Sequence, residues 1–120
     1  MKHVWKPEAT VGADGKKIES SLEGIVEVDI PKYVQRLKYL KEANFKINSD
    51  GSVDQKTDSL GITIKAVELA EKHIKKVNLT VRGTDKKIKS VDEMQYSPEC
   101  EMALTEIGFL VLNGPNSDPR

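Results

Sequence analysis

The sequence predicts a small α+β fold in which a small antiparallel sheet packs with about three helices. Two kinds of hydrophobic period and one repeat lead to this prediction. Apolar residues alternate with a period of two in the first 30 positions and again in a hairpin over residues 77–89, which together supply the sheet. Three other segments show helical spacing: residues 31–43, 60–77 and 98–113.

The repeat reads TVGADGKKIESSLE from Thr10 to Glu23 and TVRGTDKKIKSVDE from Thr80 to Glu93. Seven of the 14 positions are identical, and both copies pass from strand-like residues through a Gly/Asp turn to Lys-Lys-Ile and Ser-x-x-Glu. Each copy leads, further along the chain, to a helix that starts near a proline. We therefore interpret the repeat as a hairpin-to-helix scaffold that is used twice.

The composition predicts one globular domain over residues 1–113 and a disordered tail over residues 114–120. Hydrophobic residues make up 38% of the 120 positions and aromatic residues only 5%, so the core must consist mainly of Ile, Leu and Val. The single Cys100 cannot form an intramolecular disulfide, and no apolar run follows the charged start MKHVWKPE. These features favour a cytoplasmic setting, and no apolar stretch approaches the roughly 20 residues of a membrane span.

The first 30 residues are predicted to be strands. Val4 and Trp5 suit a strand, and the cluster from Gly12 to Gly15 signals a turn. The strand that follows places three apolar side chains on one side, with Glu27 and Asp29 on the other. Those apolar residues are Val26, Val28 and Ile30.

Pro31 is compatible with a helix start, and the first helix is predicted over residues 31–43. Four apolar residues fall at helical spacing in it: Tyr33, Val34, Leu37 and Leu40. Its outer face is predicted to be basic through Lys32, Arg36, Lys38 and Lys41. Residues 46–58 are polar and rich in turn formers, which predicts a mobile loop.

The second helix is predicted over residues 60–77, after which the period changes to two. Its apolar positions step by three or four: Leu60, Ile64, Val67, Ala70, Ile74 and Val77. Val77, Leu79 and Val81 then alternate with polar residues, and a Gly-Thr-Asp turn follows, which predicts a hairpin.

Two helix starts are predicted after the hairpin. Ser90 and Glu93 have the spacing of a capping box and predict a short helical turn through Tyr96. Ser97 as a cap and Pro98 at the first position begin the last helix, and Asn113-Gly114-Pro115 stops it. The predicted buried stripe of this helix is Cys100, Ala103, Leu104, Ile107, Leu110 and Val111.

The charges cancel at 19 basic and 19 acidic residues, but they are unevenly distributed. Residues 71–89 hold seven basic side chains against two acidic ones, whereas residues 90–120 hold six acidic side chains against Arg120. A basic patch that could bind a partner is therefore predicted at Lys72, Lys75, Lys76, Arg82, Lys86 and Lys87. Aromatic residues do not interleave with it, so specific nucleic-acid readout is not indicated.

No catalytic or metal-binding motif is complete. The turn at Gly51 lacks the first ligand and the bidentate Glu of an EF-hand loop, and residues 12–17 lack the first Gly and the Ser or Thr of a phosphate-binding loop. His3, His73 and Cys100 share no zinc-ligand spacing, and we expect His73 at the surface. Cys100 is expected to be buried and inert. We predict no enzymatic activity and no cofactor or metal.

Residues 70–114, which read AEKHIKKVNLTVRGTDKKIKSVDEMQYSPECEMALTEIGFLVLNG, resemble small tailed-phage morphogenesis proteins of the tail-assembly chaperone type. The resemblance rests on the order of KKVNLTV, a polar turn, KSVDE, a Tyr-x-Pro break and a final apolar helix that ends in Asn-Gly. It implies binding to other virion proteins without enzymatic activity, in the host cytoplasm or in the particle. The pattern assigns a role to no particular residue.

The sequence thus predicts a protein that works by protein–protein contact, as a phage virion assembly or structural component. Its partners would be virion proteins or further copies of itself, because exposed strand edges and opposed charge segments favour a homo-oligomer. The alternative is a small regulator or inhibitor whose basic patch engages nucleic acid or an acidic protein surface. A third class, a hydrolase or transferase, would require a deep pocket with two or more ionisable groups.

Overall fold

A computed structural model of the protein describes residues 1–42 and 59–114. These residues form six strands, four α-helices and one 3₁₀ turn, which confirms the predicted α+β fold. The strands are β1 (Lys2–Trp5), β2 (Thr10–Val11), β3 (Lys17–Ile18), β4 (Leu22–Asp29), β5 (Ile74–Val81) and β6 (Lys87–Ile88). The helices are α1 (Tyr33–Glu42), α2 (Ser59–His73), α3 (Val91–Gln95) and α4 (Glu101–Asn113), and the 3₁₀ turn is Pro98–Cys100. The predicted 46–58 loop and residues 115–120 of the predicted tail lie outside the described residues.

The main sheet is antiparallel, with the strand order β1-β4-β5-β6. Side chains alternate across β4, so that Val26 and Val28 are fully buried whereas Glu23 is exposed. Val26 pairs with Trp5 on one side and with Val77 on the other. The helices therefore cover one face of the sheet, and the other face carries charged residues in solvent.

Helix α4 lies at the centre of the core, as its apolar stripe predicts. Ile107 and Val111 are completely buried and Leu104 is 3% exposed. α4 crosses α2 so closely that a Cβ on Gly108 would overlap the Ala66 carbonyl oxygen. At its start, Ser97 is the N-cap residue of the 3₁₀ turn and Pro98 the first residue, as predicted, but the Ser97 hydroxyl donates to the Glu93 carbonyl at 2.9 Å and makes no capping hydrogen bond. The Ser90 cap is confirmed, because the Glu93 amide donates to Ser90 Oγ at 3.1 Å, whereas the Glu93 carboxylate accepts from the Lys89 amide and not from the Ser90 amide of a full capping box.

The predicted end of the second helix was wrong by four residues. α2 ends at His73, and Ile74 begins β5 with no intervening loop. Ile74 and Val77 fit helical spacing, but they pair with Val28 and Val26 of β4. β-branched residues pack well on a pleated surface, so the available partner strand decides against the helix.

The predicted apolar stripe of the first helix was wrong at three of its four positions, and Leu40 packs against the core. Tyr33, Val34 and Leu37 are 66%, 59% and 41% exposed, and the buried aromatic of α1 is Tyr39. Arg36, which was expected on the outer face, turns inward and donates to the Asn113 carbonyl at 2.7 Å. A cation is favoured at this helix end, where carbonyl groups lack partners within the helix.

Two further predictions about burial were wrong. Leu60 and Ile64 of α2 are exposed, although their spacing indicated a buried stripe. Gly114, which was assigned to the disordered tail, is buried, and its amide donates to the Leu110 carbonyl at 2.7 Å. Its φ of 83° is one that glycine adopts without strain.

Both copies of the repeat form a hairpin, but the two hairpins differ in register by one residue. Thr10 pairs with Ile18 in the first copy, whereas Leu79, one residue before the equivalent Thr80, pairs with Ile88 in the second. A one-residue shift turns every side chain to the other face. Ile18 is accordingly 55% exposed, and Ile88, at the equivalent position, is 1% exposed.

Candidate functional site

A surface groove lies between the N-terminal strands and the start of α4, with a volume of about 460 Å³. One wall comes from the segment after β1 and from the chain that joins β3 to β4; the other comes from the 3₁₀ turn and α4. Its apolar lining includes Trp5, Ile18, Leu22, Met102 and Ala103. Met102 is 75% exposed, so the groove offers apolar surface that the protein itself does not cover.

Five glutamates line the same groove: Glu8, Glu19, Glu99, Glu101 and Glu106. Two of them are in ion pairs with the protein's own cations. Glu19 lies 3.6 Å from Lys17 Nζ and 3.7 Å from Arg82, and Glu99 lies 3.2 Å from Lys86 Nζ. The other three form no ion pair with any described residue.

Two of the unpaired glutamates, Glu8 and Glu106, interact unfavourably with each other. Partial burial raises the pKa of Glu106, and the negative charge of Glu8 raises it further. Along residues 1–42 and 59–114, no group of three or more acidic, His or Cys side chains is placed to hold a metal ion. The carboxylates are thus distributed along the groove, which suits an extended cationic ligand better than a single ion.

The six residues of the predicted basic patch are divided among several places. Lys72 Nζ, at the end of α2, lies 5.4 Å from the centre of the Tyr39 ring. Arg82 pairs with Glu23 at 2.7 Å and Lys86 pairs with Glu99, so both charges are partly neutralised. Three other lysines are exposed on β5 and β6: Lys75, Lys76 and Lys87. The patch therefore presents dispersed charge with little apolar surface beside it.

The expectation that His73 lies at the surface was wrong, because it is only 9% exposed. Its Nδ1 lies 3.1 Å from the Asp29 carbonyl oxygen and its Nε2 lies 2.8 Å from the Tyr39 hydroxyl. A carbonyl only accepts hydrogen bonds, so Nδ1 carries the proton and Nε2 accepts from Tyr39. Desolvation lowers the pKa of His73 and outweighs the hydrogen bond to the Asp29 carbonyl, which raises it; the charge of Lys72 acts in the same direction as desolvation, so the neutral ring is favoured. The pair joins α1 to the α2–β5 junction.

Acidification is expected to destabilise the protein through His73. The folded-state pKa lies below the unfolded value of about 6.5, so unfolding takes up a proton once the pH falls below that value. The free energy of unfolding should therefore decrease more steeply between about pH 6.5 and pH 5 for the wild type than for His73→Gln. Urea titrations across this range test it, and equal slopes for the two proteins would contradict the assignment.

Cys100 is fully buried, as expected, and burial followed by the charge of Glu99 raises the pKa of its thiol. The thiol therefore stays protonated and poorly nucleophilic. Among the described helices, none combines the length and apolar character needed to cross a bilayer.

No sequence pattern identified the groove. Glu99 and Glu101 fall in the first turn of the predicted 98–113 helix, where acids are common for structural reasons, and no motif includes Glu8 or Glu106. The available signal was Met102, an apolar residue outside the buried stripe of α4. A search for related proteins by family model, curated sequence and solved structure returned no match.

Proposed function

We propose that the protein is a non-enzymatic interaction protein that binds a basic, partly apolar segment of a partner in the acid-lined groove. One observation carries the proposal: three glutamates without ion-pair partners among the described residues lie around exposed apolar side chains. A lysine-rich apolar segment would cover Ile18 and Met102 and would relieve the repulsion between Glu8 and Glu106.

Two further observations support a role without catalysis. His73 is held neutral with both ring nitrogens engaged, and the thiol of Cys100 is buried and protonated. The resemblance of residues 70–114 to tail-assembly chaperones supports a place in phage virion assembly. The rival regulator would rely on the basic patch, in which two of the six cations already have acidic partners.

The single tryptophan gives a direct test, because Trp5 lines the groove. A synthetic amphipathic peptide of leucine and lysine should change Trp5 fluorescence saturably, and a peptide of leucine and glutamate should not. Replacing Glu101 and Glu106 together by lysine turns attraction into repulsion, so we expect at least about 1.4 kcal/mol less binding free energy, which is tenfold in affinity.

Matched variants separate the groove from the rival patch. Glu68→Lys with Glu71→Lys makes the same charge change on α2, outside the groove, and should leave binding of the leucine–lysine peptide intact. Charge reversal at Lys75, Lys86 and Lys87 should not weaken binding of the leucine–lysine peptide. The rival predicts instead that the protein binds the leucine–glutamate peptide and that this charge reversal abolishes that binding. Equal affinity for both peptides, or insensitivity to the groove variant, would refute the proposal.

A further inference from the structure

The outer face of α1 carries the combination of basic and apolar side chains that a partner of the groove would need. Tyr33, Val34 and Leu37 are exposed, and two exposed lysines, Lys38 and Lys41, lie on the same side of the helix. These five positions span about 140° at 100° per residue, so they form one continuous face. We call it the α1 face.

The α1 face combines lysines with exposed apolar side chains. The predicted basic patch has lysines but no exposed apolar side chains beside them on β5. On β5 the neighbours of Lys76 and Asn78 are Val77 and Leu79, which point into the core and are at most 4% exposed. A partner bound at the patch would therefore meet charge alone. The α1 face could place apolar side chains against Met102 and Ile18 while its lysines approach the unpaired glutamates.

We infer that the occupant of the groove is the α1 face of a second copy of this chain. This inference rests on the proposed function of the groove and adds the identity of its partner. Each surface has the charge opposite to the other, and each leaves apolar side chains uncovered. Contact between copies would bury both at once.

The two surfaces lie at opposite ends of α4, so one copy can use both. The groove contacts the N-terminal part of α4 at Glu101, Met102 and Glu106, whereas α1 attaches to its C-terminal end through Arg36 and Asn113. A helix of 13 residues is about 20 Å long. The contact joins two different surfaces, so copies joined in this way form a dimer with two equivalent contacts, a ring or an open chain.

The test uses two variants that block one surface each. Leu37→Asp places a charge on the α1 face, and Met102→Asp adds an acid to the apolar lining of the groove. Both residues are exposed, at 41% and 75%, and circular dichroism checks that both variants fold. Light scattering after size exclusion should show wild-type masses above the 13.4 kDa monomer that increase with concentration. Each variant alone should weaken self-association about tenfold or more.

Mixing the variants identifies the geometry. An equimolar mixture retains one intact α1 face and one intact groove, so it should form a 1:1 dimer of twice the monomer mass and nothing larger. Lys76→Glu with Lys87→Glu, on the sheet, should self-associate like the wild type. A loss caused by Leu37→Asp but not by Met102→Asp would show an α1-to-α1 contact and overturn the inference. If the wild type is monomeric but its Trp5 fluorescence still changes with the leucine–lysine peptide, self-docking is refuted and the proposed function of the groove stands. If the wild type is monomeric and its Trp5 fluorescence does not change with the peptide, both proposals are refuted.

Discussion

Replacing Gly108 by alanine is expected to destabilise the protein by about 3 kcal/mol or more, the upper end of the range for overpacked cores. The new Cβ would overlap the carbonyl oxygen of Ala66 in α2, and a backbone group cannot rotate out of the way. α2 and α4 would have to separate, which would loosen the contacts of Ile107 and Leu69. This loss opposes the helix propensity of alanine, which alone would stabilise α4 by about 1 kcal/mol.

The sign of the effect therefore distinguishes packing from propensity. Urea unfolding followed by circular dichroism measures it, with Thr105→Ala on the same helix as the control. Thr105 hydrogen-bonds back to the Glu101 carbonyl, so its replacement should be neutral or slightly stabilising. A Gly108→Ala protein as stable as the wild type would show that the two helices do not cross at this point.

Truncation of the α4 core residues is expected to have the next largest effect. Ile107 is completely buried and Leu104 is 3% exposed, so replacing either by alanine should cost roughly 2 to 5 kcal/mol through lost burial and the cavity left behind. Met102→Ala is the matched control, since Met102 is 75% exposed and its truncation should change stability by less than about 0.5 kcal/mol.

Denaturant melts of the three variants test this expectation. Near wild-type stability for both Ile107→Ala and Leu104→Ala would remove α4 from the core. Such a result would also undermine the groove, because α4 supplies one of its walls. Stability and binding are thus linked, and peptide binding should be compared only among variants that remain folded.

The α1 face also depends on the packing of α4 and α2, because polar contacts with these helices hold α1 in place. Arg36 donates a hydrogen bond to the last turn of α4, and the Tyr39 hydroxyl hydrogen-bonds His73 at the end of α2. Lys65 reinforces this position through an ion pair with Glu42 at 2.7 Å and lies 5.5 Å from the centre of the Tyr39 ring. These contacts fix the rotation of α1 and leave its apolar residues in solvent.

Elements whose signals are local can be predicted without the fold. The cap at Ser90, the stop at Gly114 and the alternation from Val77 to Val81 depend on neighbours within a few residues, and each appears in the structure. The stripe of α4 was also predictable, because a helix at the centre of a core is apolar on its packed side whatever partner it meets.

Features that depend on distant residues follow only from the packed structure. Pairing with β4 places Ile74 in a strand although its spacing continues the helix, and the shift in register puts Ile18 outside and Ile88 inside despite their equivalent places in the repeat. Polar contacts with α4 and His73 turned the apolar side of α1 outward. The groove is lined by residues from 5–22 and from 98–106, so no local pattern shows that these segments meet. Spacing along a chain sets which side chains share a face, but only the packed partners determine whether that face meets the core or the solvent.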